Sequence, residues 1–356
     1  MIDMDVAADS RSAQKAKDPG AGMSDRLLTV LEAWGGSIIL VLVMAYFGYV
    51  APAFFTIGNF VGIVQATAIT FFVSLGVMMS LTVAGFDLSI GSVASMTGVL
   101  AAGIMVLYQM PWPFAVAIPV IVGAAIGFLN GVIIVGIGLP DLLATLGTMF
   151  AVAGAQQVYS GGQNIYSHMT LATGESLPGV IPPAFTDLIN GSAFGVPIPL
   201  ALIVLIGGVF YYVMHWTRWG RLFYATGDNI DAARVAGVPV NRYRIAAYIV
   251  SGAAAGFGGV LLTALLNGGE TQAGASYLLQ AVTAVFLGAA FFGRNRVGVV
   301  GTLIGAFILA VLVNGLTMIN MPYTAQDIFK GCLLVVAVAL GVVVRRKREQ
   351  LAVQRS

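Results

Sequence analysis

Apolar residues run almost unbroken through most of the chain, and polar ones fall between the runs in short groups. Ten such runs stand out, at 37–52, 61–84, 90–108, 114–137, 142–159, 197–215, 245–266, 278–292, 299–319 and 328–344. A helix needs about 20 apolar residues to cross the hydrocarbon of a bilayer, and the runs lie near that length. The apolar positions are consecutive and do not alternate. They predict helices buried on every side, in lipid or against neighbours, because the strands of a membrane barrel would alternate in short pieces. The pattern predicts an all-α polytopic membrane protein of about ten transmembrane helices.

Composition excludes a soluble domain. Of 356 residues, 58% are hydrophobic and 9% charged, and the mean hydropathy is +0.93, far from soluble averages. The 45 glycines suit helices that approach closely in lipid. Cys332 is the only cysteine, so there is no intrachain disulfide and no cysteine metal site; it reads as a thiol packed in the last run.

Charge then orients the chain. Short loops rich in Lys and Arg stay in the cytoplasm. Arg11, Lys15, Lys17 and Arg26 precede the first run, Arg218 to Arg244 follow the sixth, Arg294 and Arg296 follow the eighth, and Arg345 to Arg355 close the chain. Ten crossings with both termini cytoplasmic place every basic residue inside except Lys330. The expected organisation is a cytoplasmic arm at 1–36, a transmembrane domain at 37–344 and a basic cytoplasmic tail at 345–356. Within the domain, 160–196 is the main periplasmic loop and 217–244 a cytoplasmic segment. The arm mixes acids with bases before any apolar core, unlike a cleavable signal peptide.

Segment 217–244, TRWGRLFYATGDNIDAARVAGVPVNRYR, carries its own helix punctuation. Asp228 or Asn229 can cap an N-terminus, Asp231 suits the positive end of the helix dipole, and Gly237 with Pro239 closes the far end. The product is a helix of about two turns, too short to stand alone in water. Its apolar positions Ile230, Ala233, Val235, Ala236 and Val238 call for a partner surface, either the protein's own or another subunit's.

Catalytic patterns are missing. No glycine precedes a lysine, so there is no phosphate-binding G-x-x-x-x-G-K-[ST] loop. No metal-protease motif or paired carboxylate stands out, and His168 and His215 fall on opposite sides of the ten-span arrangement. His168 reads as a loop residue and His215, beside Trp216 and Trp219, as part of an interfacial belt.

Four stretches carry a resemblance. They are Gly85-Phe86-Asp87-Leu88-Ser89-Ile90-Gly91-Ser92; Asn130-Gly131 with Leu139-Pro140 and Ala144 to Met149; Gly220-Arg221 with Ala225, Gly227, Asn229, Arg234 and Gly237-Val238; and Gly301 to Ala306 with Asn314-Gly315. Over about 54–341 the chain resembles the membrane permease of bacterial ATP-binding-cassette importers of the ribose, arabinose, xylose and galactose type. The resemblance implies a type II importer-like fold and a permease subunit for a monosaccharide or related polyol. It also implies a periplasmic binding protein that delivers the solute, a separate ATPase subunit that holds ATP and magnesium, and a second permease copy, here taken as identical. No cofactor is then expected on this chain, and nothing points to nucleic acid. Residues Gly220, Arg221, Gly227, Asp228, Asn229, Asp231, Ala232, Arg234 and Gly237 would form the coupling segment that meets the ATPase.

Two departures from that family's pattern bear on detail. Ile230 stands where a glutamate usually follows the coupling asparagine, with the acid moved to Asp231. Phe291 and Phe292, in 288–296, stand where many sugar permeases have a glycine-rich turn, which makes these two rings candidate gate residues.

Asp87 is the one acid between two long uncharged runs. In the signature turn of Gly85, Asp87, Ser89, Gly91 and Ser92, Gly85 can break the helix while the carboxylate caps the next one around Ser89 and Ile90. A part in the gate, in ATPase contact or in solute binding stays open. A neutral polyol needs hydroxyls and amides along its path. Gln65, Thr67, Asn130, Thr145, Thr148, Gln156, Gln157, Asn267, Gln280 and Asn314 supply them, although each also suits an interhelical hydrogen bond. The binding protein would meet 160–196, 267–277 and 320–327, whose acids are Glu175, Asp187, Glu270 and Asp327, with Lys330 placed to pair with Asp327. Two rivals remain. An ion-coupled secondary transporter would bury ionisable residues at mid-membrane, which this chain nearly lacks; a permease of the same superfamily for branched amino acids or nucleosides would keep the architecture and change the solute.

Overall fold

The computed structural model describes residues 36–170, 174, 176–291 and 296–355, with side chains described as far as 339. Its helices are α1 Gly36–Val50, α2 Ile57–Thr82, α3 Ile90–Val106, α4 Trp112–Val132, α5 Asp141–Ser160, α6 Pro183–Asn190, α7 Ile198–Trp216, α8 Arg218–Asp228, α9 Ile230–Val235, α10 Val240–Leu266, α11 Ala275–Phe291, α12 Val299–Met318 and α13 Tyr323–Arg355. A π-helical turn, Ile133–Ile137, extends α4 until Gly138 ends it in the left-handed conformation. Two short antiparallel ribbons complete the structure. β1 (Ile165–Tyr166) pairs with β4 (Gly268–Gly269), and β2 (Ser192–Ala193) with β3 (Val196–Pro197).

Each of the ten apolar runs carries a helix. Five of these, α2, α4 with its π turn, α7, α10 and α12, are long and apolar enough to cross a membrane, while α1, α3 and α11 are shorter apolar helices. Sequence periodicity missed three features. α10 starts at Val240, directly after Pro239, whose fixed φ suits a helix start. The loop at 160–196 contains α6, which buries Phe185 and Ile189. The last helix runs on to Arg355, so 345–355 is helical and continuous with the run before it.

α10 is the centre of the bundle and packs against α4, α2 and α3. Glycines let it do so. A Cβ on Gly252 would overlap the Gly123 carbonyl, one on Gly127 the Tyr248 carbonyl, and one on Gly259 the Ala94 carbonyl. In lipid, helices gain nothing from hiding apolar surface from water, so this close van der Waals fit is what holds them together. The same device joins α11 to α12, where Gly305 abuts the Ala284 backbone. Larger side chains fill what remains: Phe71, Phe72, Leu75 and Met78 of α2 are fully buried, and the Phe72 ring meets Phe257 edge-on at 4.8 Å.

Candidate functional site

The signature turn sits where α2, α3, α4 and α10 converge. Ala84 has a left-handed φ of 55°, and a Cβ on Gly85 would lie 2.5 Å from the Tyr248 hydroxyl and 2.7 Å from Asp141 Oδ2, so a larger residue would have to displace these groups. Asp87 is 1% exposed. Its Oδ1 accepts from the Ser89 amide at 3.0 Å and the Ser89 hydroxyl at 2.6 Å, and its Oδ2 accepts from the Ser251 hydroxyl at 2.8 Å. Asn130 Nδ2 donates to Ser89 Oγ at 2.9 Å. Removing a carboxylate from water is expensive unless it is hydrogen-bonded, and three donors reach both oxygens here. Ser89 is the residue preceding α3 and makes no side-chain cap of its own; Asp87 holds the turn one step before the helix, without a bond to Ile90. Gly91 and Ser92 follow inside α3, where Gly91 faces the Gly274 carbonyl at the start of α11.

Segment 217–244, the expected coupling segment, folds as two helices before α10 where the sequence predicts one. Asn229 is the cap between them: its backbone is extended and its Oδ1 accepts from the Ala232 amide at 2.9 Å. Asp231 lies in the first turn of α9, and Gly237, at φ 80°, turns the chain toward α10. Gly220 packs against the Met214 carbonyl. Gly227 packs against the Thr82 carbonyl and the Ala84 amide, so α8 rests directly on the signature turn. α9 turns Ala233 inward and exposes Asp231, Ala232, Arg234 and Val235, the last at 91%. Arg221 is exposed on α8.

α8 is also fastened to the start of α12. Tyr224 donates to the Val297 carbonyl at 3.0 Å, and Arg296 pairs with Asp228 while lying 5.8 Å from the Tyr224 ring centre. Burial raises the Tyr224 phenol above its ordinary range; Arg296 lowers it and Asp228 raises it by less. The phenol is thus kept as a donor. A cavity of about 540 Å³ lies beside this joint, lined in part by His215, Arg221 and Val299.

The path candidates are dispersed. Asn130 and Thr145 join the signature turn, Thr145 through the Phe86 carbonyl at 3.3 Å. Gln65 ties α2 to α6 through the Ile189 carbonyl and Asn190. Asn314 donates to Asn59 at 2.8 Å, Thr67 and Thr148 bond back to their own helices, and Gln280 lies 3.5 Å from the Thr70 hydroxyl. Gln156 is buried, and its Nε2 has no partner among the described residues. Gln157 is half-buried, and Asn267 ends α10 in an exposed left-handed turn. Phe291 packs among Leu287, Ile308 and Ala337, a core position; Phe292 and Glu175 lie outside the described residues. Asp187, Glu270 and Asp327 are exposed, and Lys330 pairs with Asp327 at 2.9 Å.

Sequence reading also missed an ion pair. Arg244 Nη2 donates to Asp141 Oδ1 at 2.7 Å, and the Tyr248 hydroxyl donates to Asp141 Oδ2 at 2.8 Å. Asp141 follows Pro140 at the start of α5, an ordinary place for an acid, and its partner lies 103 residues away.

Among the described residues no cluster of three or more His, Cys, Asp or Glu is placed to hold a metal. Residues 59–338 match the family described as "Branched-chain amino acid transport system / permease component". The chain belongs to this permease family. It is 33% identical to the ribose import permease protein of Escherichia coli strain K12 over 305 residues, which are 85% of this chain and 91% of the relative. It is 31% identical to the ribose import permease protein of Haemophilus influenzae over 301 residues, 85% of this chain and 90% of the relative. It is 34% identical to the autoinducer 2 import system permease protein of Salmonella typhimurium over 281 residues, 78% of this chain and 81% of the relative. No solved structure matches it. The chain is a permease subunit and a multi-pass membrane protein.

Proposed function

We propose that this permease forms the translocation path of an ATP-driven importer that brings a monosaccharide or related polyol across the bacterial inner membrane. It crosses ten times, with both termini in the cytoplasm. A periplasmic binding protein delivers the solute, a separate subunit hydrolyses ATP with magnesium, and a second identical copy completes the pore. Two of the relatives above are named for ribose import and a third for autoinducer 2 import, which favours a small polar solute over an amino acid. Asp87 and Asp141 each have donors on both carboxylate oxygens, an arrangement suited to passing a neutral molecule rather than relaying an ion.

The contact that carries the reading is the seat of α8 on the signature turn, with Gly227 against Thr82. It gives the exposed face of α9 a rigid connection to the centre of the bundle. Closure of the ATPase subunits then moves α8 and α9, and the bundle exposes its path first to one side and then to the other.

The test is uptake of radiolabelled ribose into proteoliposomes that hold the permease with its ATPase and binding protein. ATP-dependent, vanadate-sensitive accumulation supports the reading. Accumulation driven by a proton or sodium gradient without ATP overturns it in favour of a secondary transporter.

A further inference from the structure

α5 is an outer helix that packs chiefly on α3, with Leu142, Leu143, Leu146 and Phe150 exposed along it. Its first turn is nonetheless held by three polar bonds to other elements. Asp141 accepts from Arg244 and from Tyr248, both on α10, and Thr145 donates to the Phe86 carbonyl in the signature turn. Arg244 and Asp141 are 17% and 16% exposed, so water screens the pair weakly. Arg244 lies in the first turns of α10, the helix into which α9 leads through Pro239.

Beside these groups is a cavity of about 440 Å³, lined by Ala84, Gly85, Pro140, Asp141 and Arg244 among others. Arg244 Nε is buried and has no partner among the described residues. Burying a guanidinium N–H unpaired is costly, and the space beside it is open to the surface. The site therefore has room to move and an unused donor that a shifted acceptor could take.

We propose that the Asp141–Arg244–Tyr248 cluster is a latch that transmits the movement of α8 and α9 to α5, making these three positioning residues for transport. The proposal rests on the ATP-driven reading above. Asp141 is the shared acceptor, Arg244 moves with the root of α10, and Tyr248 fixes the rotamer of the carboxylate through its second oxygen. When the coupling segment shifts, α5 follows through the ion pair and not through apolar packing.

The test uses the permease–ATPase complex in a Cys332→Ser background, with a single cysteine at Asp231 on α9 or at Phe150 on α5. Both positions are exposed on the permease taken by itself. Each cysteine carries a nitroxide spin label, whose mobility reports its surroundings in water or lipid and is measured without nucleotide and with ATP plus vanadate. With the latch intact, nucleotide changes the mobility at both positions. In Tyr248→Phe, which keeps the shape of the core, and in Asp141→Asn, the change at position 231 persists. The change at position 150 shrinks by about 2- to 30-fold, the range that single residues between coupled sites carry. The exchange Asp141→Arg with Arg244→Asp restores it. The latch is overturned if position 150 responds equally in Tyr248→Phe, or if it does not respond with the latch intact while position 231 does. No response at position 231 with the latch intact would instead overturn the ATP-driven reading.

Discussion

Gly227 and Thr82 meet backbone to backbone: the α-carbon of one faces the carbonyl of the other so closely that a methyl group would overlap it. Neither side of that contact is a flexible side chain that can swing away. Gly227→Ala must displace α8 from the signature turn, at an overpacking cost of about 1–3 kcal/mol. The expected result is ATP hydrolysis without solute accumulation, read as the ratio of the two rates in proteoliposomes.

Ser251 supplies the only donor to Asp87 Oδ2 among the described residues. Ser251→Ala leaves a buried carboxylate oxygen unpaired, which costs about 1–3 kcal/mol or somewhat more for a charged group. Melting of the detergent-solubilised protein should fall by several degrees. The double variant with Asp87→Asn should recover part of that loss, because it removes the charge that needed the donor.

Asn229→Ala removes the cap of a six-residue helix, which has little else to hold its first turn. Capping losses run at about 1 kcal/mol, a small fraction of the whole protein's stability but a large one for α9. Membrane insertion and melting should be nearly unchanged, while affinity for the ATPase subunit drops by several-fold in a pull-down titration.

Gly252→Ala and Gly62→Ala are the same chemical change in two settings. A Cβ at Gly252 overlaps the Gly123 carbonyl, whereas one at Gly62 meets nothing within 4 Å. The first should destabilise the bundle by about 1–3 kcal/mol. The second should be neutral or stabilise α2 by up to about 1 kcal/mol, as measured by detergent melting.

Orientation is checked at Ala232, on the exposed face of α9. A cysteine there, in the Cys332→Ser background, should resist a membrane-impermeant maleimide in intact cells and react after lysis. Labelling from outside would place the coupling segment in the periplasm.

Apolar runs made the helices legible because their signal is local and repeated over about 20 residues. Asn229 as a cap, Gly237 as a stop and the Asp327–Lys330 pair were readable for the same reason, since each acts within one or two turns. α8 was not foreseen: its spacing of Trp219, Phe223 and Tyr243 contacts depends on a helix elsewhere in the chain. Asp87 was recognisable as unusual, but its partner Ser251 is one of many serines, 164 residues away. Gln65 was readable as a path residue or an interhelical bond, and its bond to α6 was not, because an amide in an apolar run advertises a need for a hydrogen bond without saying where the partner lies. The Arg244–Asp141 pair was hidden twice over, its arginine absorbed into the charge bias and its aspartate into an ordinary helix start.

One continuous rod, α10, has the coupling segment at its first residue and the ribbon of β4 with β1 just beyond its last, 27 residues on. At 1.5 Å per residue that is roughly 40 Å of stiff connection. Thermodynamic reciprocity then makes the two ends answerable to each other. If nucleotide at one end alters how the outer ribbon receives a delivered solute, arrival of that solute must alter nucleotide affinity to the same degree. Delivery of solute would thus be felt in nucleotide binding without any dedicated sensor.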